Sequence, residues 1–480
     1  MNILHEHATL IIASGYLILE LAAIGAAVHA VIHVRTAQGA IAWLLALIAI
    51  PLLALPLYTV FGSRRFVGYV EARRAGDAAI AHLTTRQSDE ATRAFHSSLD
   101  LDSRRYFGFE TIAGTPFLSG NEVRLLIDGD ATFKAVFRAI AEAEDYVLVQ
   151  FYIVRNDELG GRLKDALVDC LGRGVRVYFL YDRIGSYQLP GSYTQSLRSA
   201  GAQVLAFTST TRRVRKLQVN FRNHRKIVVV DGRTSFVGGL NVGDEYLGRD
   251  PVLTPWRDTH LQIDGPVATV VQVPFLEDWY WSSGCVPDVN WPARARPAGH
   301  TVLSLPSGPG DDREPGALMF VHAIHAARRR LWIVSPYFVP NGSIIDALKM
   351  AALRGVDVRI LIPGMTDNRL VALAGRAYLA ELMAMGVRFF RYDGGFLHQK
   401  VMLIDDDLAT VGTANLDNRS MRLNFEHTMV MADTGLAREV ETMLSADFEQ
   451  SSELLRETLD ADPWWKFAAA RGARLLAPVL

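Results

Sequence analysis

Two stretches of the chain carry the same pattern. Residues 221–241 read FRNHRKIVVVDGRTSFVGGLN, and residues 397–415 read LHQKVMLIDDDLATVGTAN. In each, a histidine and a lysine stand two apart (His224 and Lys226; His398 and Lys400), and an aspartate follows the lysine by five (Asp231; Asp405). A glycine and an asparagine then close the stretch at equal spacing (Gly238 and Asn241; Gly412 and Asn415). Background residue usage would produce one copy in roughly one chain in ten thousand. Two copies mark an internal duplication, and a duplicated chain has to fold into two like halves.

The likeness extends upstream. FKAVFRAIAEAE, DYVLVQFYIV, a segment ending LGRG and VRVYFLYD precede the first pattern; MFVHAIHAARRR, LWIVSPYFV, a segment ending ALRG and VDVRILIPG precede the second. Helical periodicity alternating with near-continuous apolar runs predicts β-α-β units. The expected fold is α/β, with halves at 116–298 and 299–480, each a mostly parallel sheet flanked by helices. A pseudo-twofold axis between them would bring both motifs to one cleft, as in an isologous dimer.

Half of the 480 residues are hydrophobic, and the excess is concentrated at the N-terminus. Ala8–Val34 and Ala40–Phe61 are each long enough to cross a bilayer, so residues 1–62 read as a transmembrane hairpin with spans at about 8–34 and 40–61. The start MNILHEHA has no basic region and the apolar run is too long for a cleaved signal. Arg35 lies between the spans, whereas Arg64, Arg65, Arg73 and Arg74 follow the second. By the positive-inside rule both termini are then cytoplasmic. Residues 63–115 read as a charged helical linker. With only Cys170 and Cys285, a disulfide framework and a thiolate metal cluster are excluded.

On a strand, alternate side chains share a face, so His224 and Lys226 point together, as do His398 and Lys400. Asp231 and Asp405 have the opposite parity and are placed to brace the turns. Two imidazoles and two ammonium groups facing one another suit a phosphodiester. The lysines neutralise its non-bridging oxygens, Asn241 and Asn415 donate to them with Thr413, and Gly239 with its neighbours lets backbone come close. One neutral histidine can attack phosphorus while the other, protonated, serves the leaving alcohol. No nucleotide-type phosphate loop is present. His322 and His325 share a helix face without a carboxylate partner, which favours packing over metal binding.

The repeated His-x-Lys-x4-Asp pattern with its trailing Gly and Asn resembles the phospholipase D superfamily. AWLLALIAIPLLALPLYTVFG, SPYFVP, GGFLHQK, VGTANLDNRS and LNFE are similar to bacterial cardiolipin synthases of the two-span type. The resemblance implies transfer of a phosphatidyl group from one phosphatidylglycerol to another, with no cofactor or metal, at the bacterial inner membrane. His224, Lys226, Asp231, His398, Lys400 and Asp405 match the family's catalytic positions. The superfamily pattern further implies His224 as nucleophile and His398 as acid. Hydrolysis of a phospholipid, or of nucleic acid, is the alternative, and the two spans disfavour nucleic acid as a partner. A catalytically dead membrane scaffold is the rival from another class, and two intact motifs argue against it.

Three further segments bear on the site. TRRVRKLQVNFRNHRK, residues 211–226, is basic without an acid and suits anionic lipid headgroups. The C-terminal PWWKFAAARGARLLAPVL suits an element at the membrane interface or one docked on the catalytic unit. Lastly, WRDTHLQID and LNFEHTMVMAD each open a strand with a carboxylate, Asp258 and Glu426. A histidine nucleophile needs its other ring nitrogen held by an acceptor. Asp258 and Glu426 are expected to hold the histidines, within one half or across the axis. The sequence sets no oligomeric state.

Overall fold

The computed structural model describes residues 2–34, 36–62, 93–97, 103–208, 220–311 and 313–480. The chain divides into two compact units, one N-terminal and one comprising both repeats. The basic residues at 211–219 and most of the expected linker, 63–92 and 98–102, lie outside the described residues.

The N-terminal unit is helical: α1 (Asn2–His33), α2 (Ala37–Ala49) and α3 (Pro51–Phe61). Among the described residues, only Leu10–His33 is a single helix long and apolar enough to span a bilayer. Its outer side chains, among them Leu17, Ile18, Leu21 and Ile24, stay exposed. The second expected span is two helices rather than one. It breaks at Ile50 (φ −141°, ψ 60°), because Pro51 offers no N–H and pushes the residue before it out of the helical region. Ala27, Ala30, Leu47, Ala54 and Tyr58 form the small core between these helices, where the Tyr58 hydroxyl and His29 Nδ1 are 2.7 Å apart.

The larger unit is built on one long sheet. The first half supplies β1 (Leu118–Ile127), β2 (Tyr146–Phe151), β3 (Arg176–Asp182), β4 (Gln203–Phe207), β5 (Arg222–Asn223), β6 (Ile227–Val230), β7 (Thr234–Gly238), β8 (Trp256–Arg257) and β9 (Thr259–Asp264). From the second come β10 (His300–Ser307), β11 (Arg330–Val334), β12 (Phe338–Val339), β13 (Asp357–Pro363), β14 (Arg388–Tyr392), β15 (Phe396–Leu397), β16 (Val401–Ile404), β17 (Leu408–Gly412), β18 (Leu416–Asp417), β19 (Asn424–Ala432) and β20 (Ser451–Glu453). Outward from the centre, the order is β1-β9-β7-β6-β2-β3-β4 on one side and β10-β19-β17-β16-β11-β13-β14 on the other. The two orders correspond strand for strand. β1 and β10 pair antiparallel at the middle, which is the pseudo-twofold.

Each half is mixed, not mostly parallel. Along the main strand order, only β2-β3-β4 and β11-β13-β14 run parallel; the hairpins β6-β7 and β16-β17 and the strands beyond them are antiparallel. Apolar runs buried on both faces look alike in either direction, so the sequence pattern did not distinguish them. The hairpin turns carry the signal: Asp231 and Gly232, two of the three residues between the paired Val230 and Thr234, take positive φ, and Asp405 does so in the second hairpin. Helices cover the sheet, with one core around Leu163, Phe179 and Phe236 and another around Phe320, Leu348 and Phe389. The helix Ser103–Ala113 packs on Pro315–Ala326, where His322 Nε2 lies 2.7 Å from the Arg105 carbonyl oxygen.

Candidate active site

Each histidine arrives on a short segment paired with the opposite half. β5 runs parallel to the start of β19, and β15 runs parallel to β8. The His224 N–H donates to the Phe425 carbonyl (2.9 Å) and the His398 N–H to the Arg257 carbonyl (2.8 Å). In both cases the next residue along the partner strand is the carboxylate. His224 Nδ1 lies 2.9 Å from Glu426 Oε2, and His398 Nδ1 lies 2.8 Å from Asp258 Oδ2. Both carboxylates are fully buried. The crossing is reciprocal, so each half holds the other's imidazole by Nδ1 and leaves Nε2 for chemistry.

The lysines lie beside the rings. Lys226 Nζ donates to the His224 carbonyl at 2.7 Å and sits 5.5 Å from the centre of the Tyr152 ring. Lys400 Nζ bonds the His398 carbonyl and lies 2.9 Å and 3.1 Å from the two nitrogens of that ring. Tyr152 stands edge-on to His224 and Trp256 tilts against His398, each about 5 Å away (5.0 and 5.1 Å). Both histidines and both lysines are buried, where charges act on one another more strongly than in water.

Burial sets the proton affinities. It pushes Lys226 down to about 7 and Lys400 down to about 8. Burial, with the charges of Lys226, Lys400 and His398, pulls His224 well below the ordinary imidazole value. His398 is lowered by burial and Lys400, with Asp258 opposing them. The two carboxylates diverge. Burial raises Glu426 to about 7, whereas for Asp258 the pull of Lys400 and His398 outweighs burial and leaves its carboxyl below the usual range. Lys400 and His398 of the second half thus bear electrostatically on His224 of the first.

Several expected contributors sit elsewhere. Asp231 accepts from the backbone N–H groups of Glu144, Asp145 and Tyr146 at 3.0, 2.8 and 2.9 Å. Asp405 does the same for residues 328–330 and takes Arg105 at 2.7 Å. Both lie at the far ends of their strands, roughly 20 Å along the chain from the histidines. They brace the turns, as their parity predicts, and touch neither imidazole. Asn241 is fully engaged, accepting from the Ile153 N–H (3.1 Å) and donating to the Tyr246 hydroxyl (3.0 Å). The Asn415 N–H donates to Ser420 Oγ at 3.1 Å, and its side-chain oxygen is buried without a partner.

Gly239 and Thr413 serve the carboxylates. A Cβ on Gly239 would lie 2.0 Å from Asp258 Oδ1, so glycine makes room for that carboxylate rather than for a phosphate. The corresponding Thr413 donates its hydroxyl to Glu426 Oε2 at 2.5 Å. Both were expected to bind substrate phosphate; their contacts instead fix the acceptors behind the rings.

A supporting layer escaped the sequence reading. Asp278 accepts from Arg225 Nη1 (2.8 Å), Asn223 (2.8 Å) and Gln150 (2.7 Å). Asp447 accepts from Arg257 Nε (2.7 Å) and Gln399 (2.8 Å). Arg225 and Arg257 neighbour His224 and Asp258 directly, so the two networks pin one member of each pair. The available signal was parity: Arg225 and Gln399 stand between His and Lys and must point to the other face. Among the described residues, no group of three or more His, Cys, Asp or Glu side chains could hold a metal ion.

A duplicated His/Lys site with buried, crossed carboxylates can be compared with known proteins. The family described as "Cardiolipin synthase, PLD-like domain" matches at residues 136–251 and 320–448, which include both motifs. The chain belongs to that family. Cardiolipin synthase A of Pseudomonas entomophila (strain L48) is 49% identical over 472 residues, covering 97% of this chain and 98% of the relative. Cardiolipin synthase A of Pseudomonas putida (strain W619) is 48% identical over the same shares. Among solved structures, phosphatidylserine synthase of Haemophilus influenzae Rd KW20 has the same fold: TM-score 0.61 at 15% identity, over 78% of this chain and 100% of that one.

Proposed function

We propose that the chain is a membrane phosphatidyltransferase that converts two phosphatidylglycerol molecules into cardiolipin and glycerol. The observation that carries this reading is the crossed pair of dyads, His224–Glu426 and His398–Asp258. Full-length relatives named cardiolipin synthase A support the choice of substrate.

His224, kept neutral by burial and by the lysines, attacks the phosphorus of one phosphatidylglycerol through Nε2. A P–N bond forms, the bond from phosphorus to the headgroup glycerol oxygen breaks, and that oxygen takes a proton from His398. Asp258 stays ionised behind His398 and stabilises its cation. Lys226 and Lys400 carry the charge developing on the non-bridging oxygens. A second phosphatidylglycerol then presents its glycerol hydroxyl, His398 removes the proton, and the new P–O bond releases His224. The N-terminal helices cross the membrane as a hairpin, and Arg64, Arg65, Arg73 and Arg74 hold the catalytic unit on the cytoplasmic side.

Purified protein given phosphatidylglycerol alone, without nucleotide, should yield cardiolipin and glycerol in equal amounts by chromatography and mass spectrometry. Phosphatidic acid as the main product would mean that water, not a lipid alcohol, resolves the intermediate. Loss of activity with a chelator, restored by a metal, would overturn the two-histidine mechanism.

A further inference from the structure

The C-terminal helix Trp464–Arg474 turns its small residues inward and its large ones outward. Ala470 and Ala473 are buried, with Ala477 just beyond, while Trp464 is 80% exposed, Trp465 55%, Phe467 62% and Leu475 81%. At about 100° per residue, 464, 467, 471 and 475 form one stripe, 465 flanks it on the side away from 470, and 470, 473 and 477 form the buried face. Scattered exposed apolar residues need no explanation. Three aromatic rings and a leucine within twelve positions do, because each keeps more than half of its surface exposed on one short segment.

The helix is fixed to the catalytic unit. Arg376 Nε donates to Asp462 at 2.6 Å, the Arg474 guanidinium lies 4.6 Å over the Tyr378 ring, and the Arg419 N–H donates to the Leu480 carbonyl at 2.9 Å. Arg419 belongs to the short helix Asn418–Arg422, and its charge bears on His224. A segment held at both ends, one of them beside the cleft, presents the stripe as a built surface.

Its charge selects the occupant. Residues 464–480 contain Lys466, Arg471 and Arg474 and no acid; Lys466 pairs with Asp462 just upstream at 3.3 Å, and Arg471 lies 5.1 Å over the Phe467 ring. Exposed tryptophans with interleaved cations match the headgroup zone of an anionic bilayer, where indole rings sit at the polar boundary and cations meet phosphate. We propose that Trp464, Trp465, Phe467 and Leu475 insert into the surface of an anionic phospholipid bilayer and seat the catalytic unit on it.

The test uses the full chain reconstituted into vesicles of phosphatidylglycerol and phosphatidylethanolamine, with and without bromine on the acyl chains. The emission of Trp464 and Trp465 is isolated by subtracting that of the Trp464→Phe/Trp465→Phe variant, which leaves the alanine face untouched. Brominated vesicles should lower the difference emission by about half or more. Difference emission indifferent to bromine would overturn the proposal. So would a blue shift that grows with protein concentration without quenching, since a second copy would then cover the stripe. Neither reading uses turnover, so failure to make cardiolipin would leave this result standing.

Discussion

The two histidine–carboxylate pairs are alike in geometry and different in charge. Both rings are held through Nδ1 by a fully buried carboxylate from the other half, 2.9 Å away in one pair and 2.8 Å in the other. Glu426, however, is pushed up to about 7, with the Thr413 hydroxyl and an Asn424 amide donor against it, while Asp258 is held below its ordinary range beside Lys400. Duplication supplied the shape twice, and the surroundings then separated the roles. A ring backed by a firm anion suits the acid, and a ring stripped of its proton suits the nucleophile.

Removing either ring breaks the comparison most severely. His224→Ala and His398→Ala should each lower turnover by roughly 10⁴-fold or more, since neither half can supply both nucleophile and acid. They should part in trapping experiments. With a substrate bearing a good leaving group, His398→Ala accumulates a phosphatidyl adduct on His224, visible by mass spectrometry. An adduct found on His398 in the reciprocal variant, and never on His224, reverses the roles.

The carboxylates come next. Asp258→Asn and Glu426→Gln should fold normally, by circular dichroism, and lose about two to four orders of magnitude in kcat, with Asp258→Asn the worse. Gly239→Ala should behave like Asp258→Asn, because its Cβ would displace the Asp258 carboxylate. A fully active Gly239→Ala enzyme would show that the space at that position does not matter.

pH sharpens the contrast with a smaller effect. His398, Lys226 and Lys400 all have lowered affinities, the lysines near 7 and 8, so each loses its proton early as pH rises. His224 stays neutral far into acid. kcat/KM should therefore fall from pH 6 to pH 9 by about tenfold per unit at its steepest, with little loss on the acid side. A flat profile over that range would remove the need for these protons. The mildest case is Thr413→Val, which deletes the hydrogen bond to Glu426 and the one the hydroxyl accepts from the His427 N–H. It should lower kcat about tenfold and leave KM unchanged.

Much of this was legible in the sequence because strands alternate. Parity alone put Asp231 and Asp405 at the turns and left the histidines short of an acceptor, which pointed to Asp258 and Glu426. Parity does not say which half a carboxylate will meet. That depends on β5 finding β19 and β15 finding β8, pairings between segments well over a hundred residues apart. The glycine at 239 was misread for a related reason. A glycine signals close approach, but only coordinates reveal whether a substrate or an aspartate does the approaching. Asp278 and Asp447 were invisible because each sits inside a helix with no motif around it. The break in the second apolar stretch was readable at Pro51, and length alone concealed it.

The β1–β10 ladder and the two crossed straps tie the halves of this molecule together by main-chain pairing at three places. Opening the cleft like a clamshell would tear main-chain hydrogen bonds in three places at once. The spacing between the two imidazoles is consequently a fixed gauge, set by the sheet rather than by the lipid. Exchange of the spent headgroup for the next lipid then has to proceed with those three pairings intact. Discrimination among alcohols then rests on what fits that gauge.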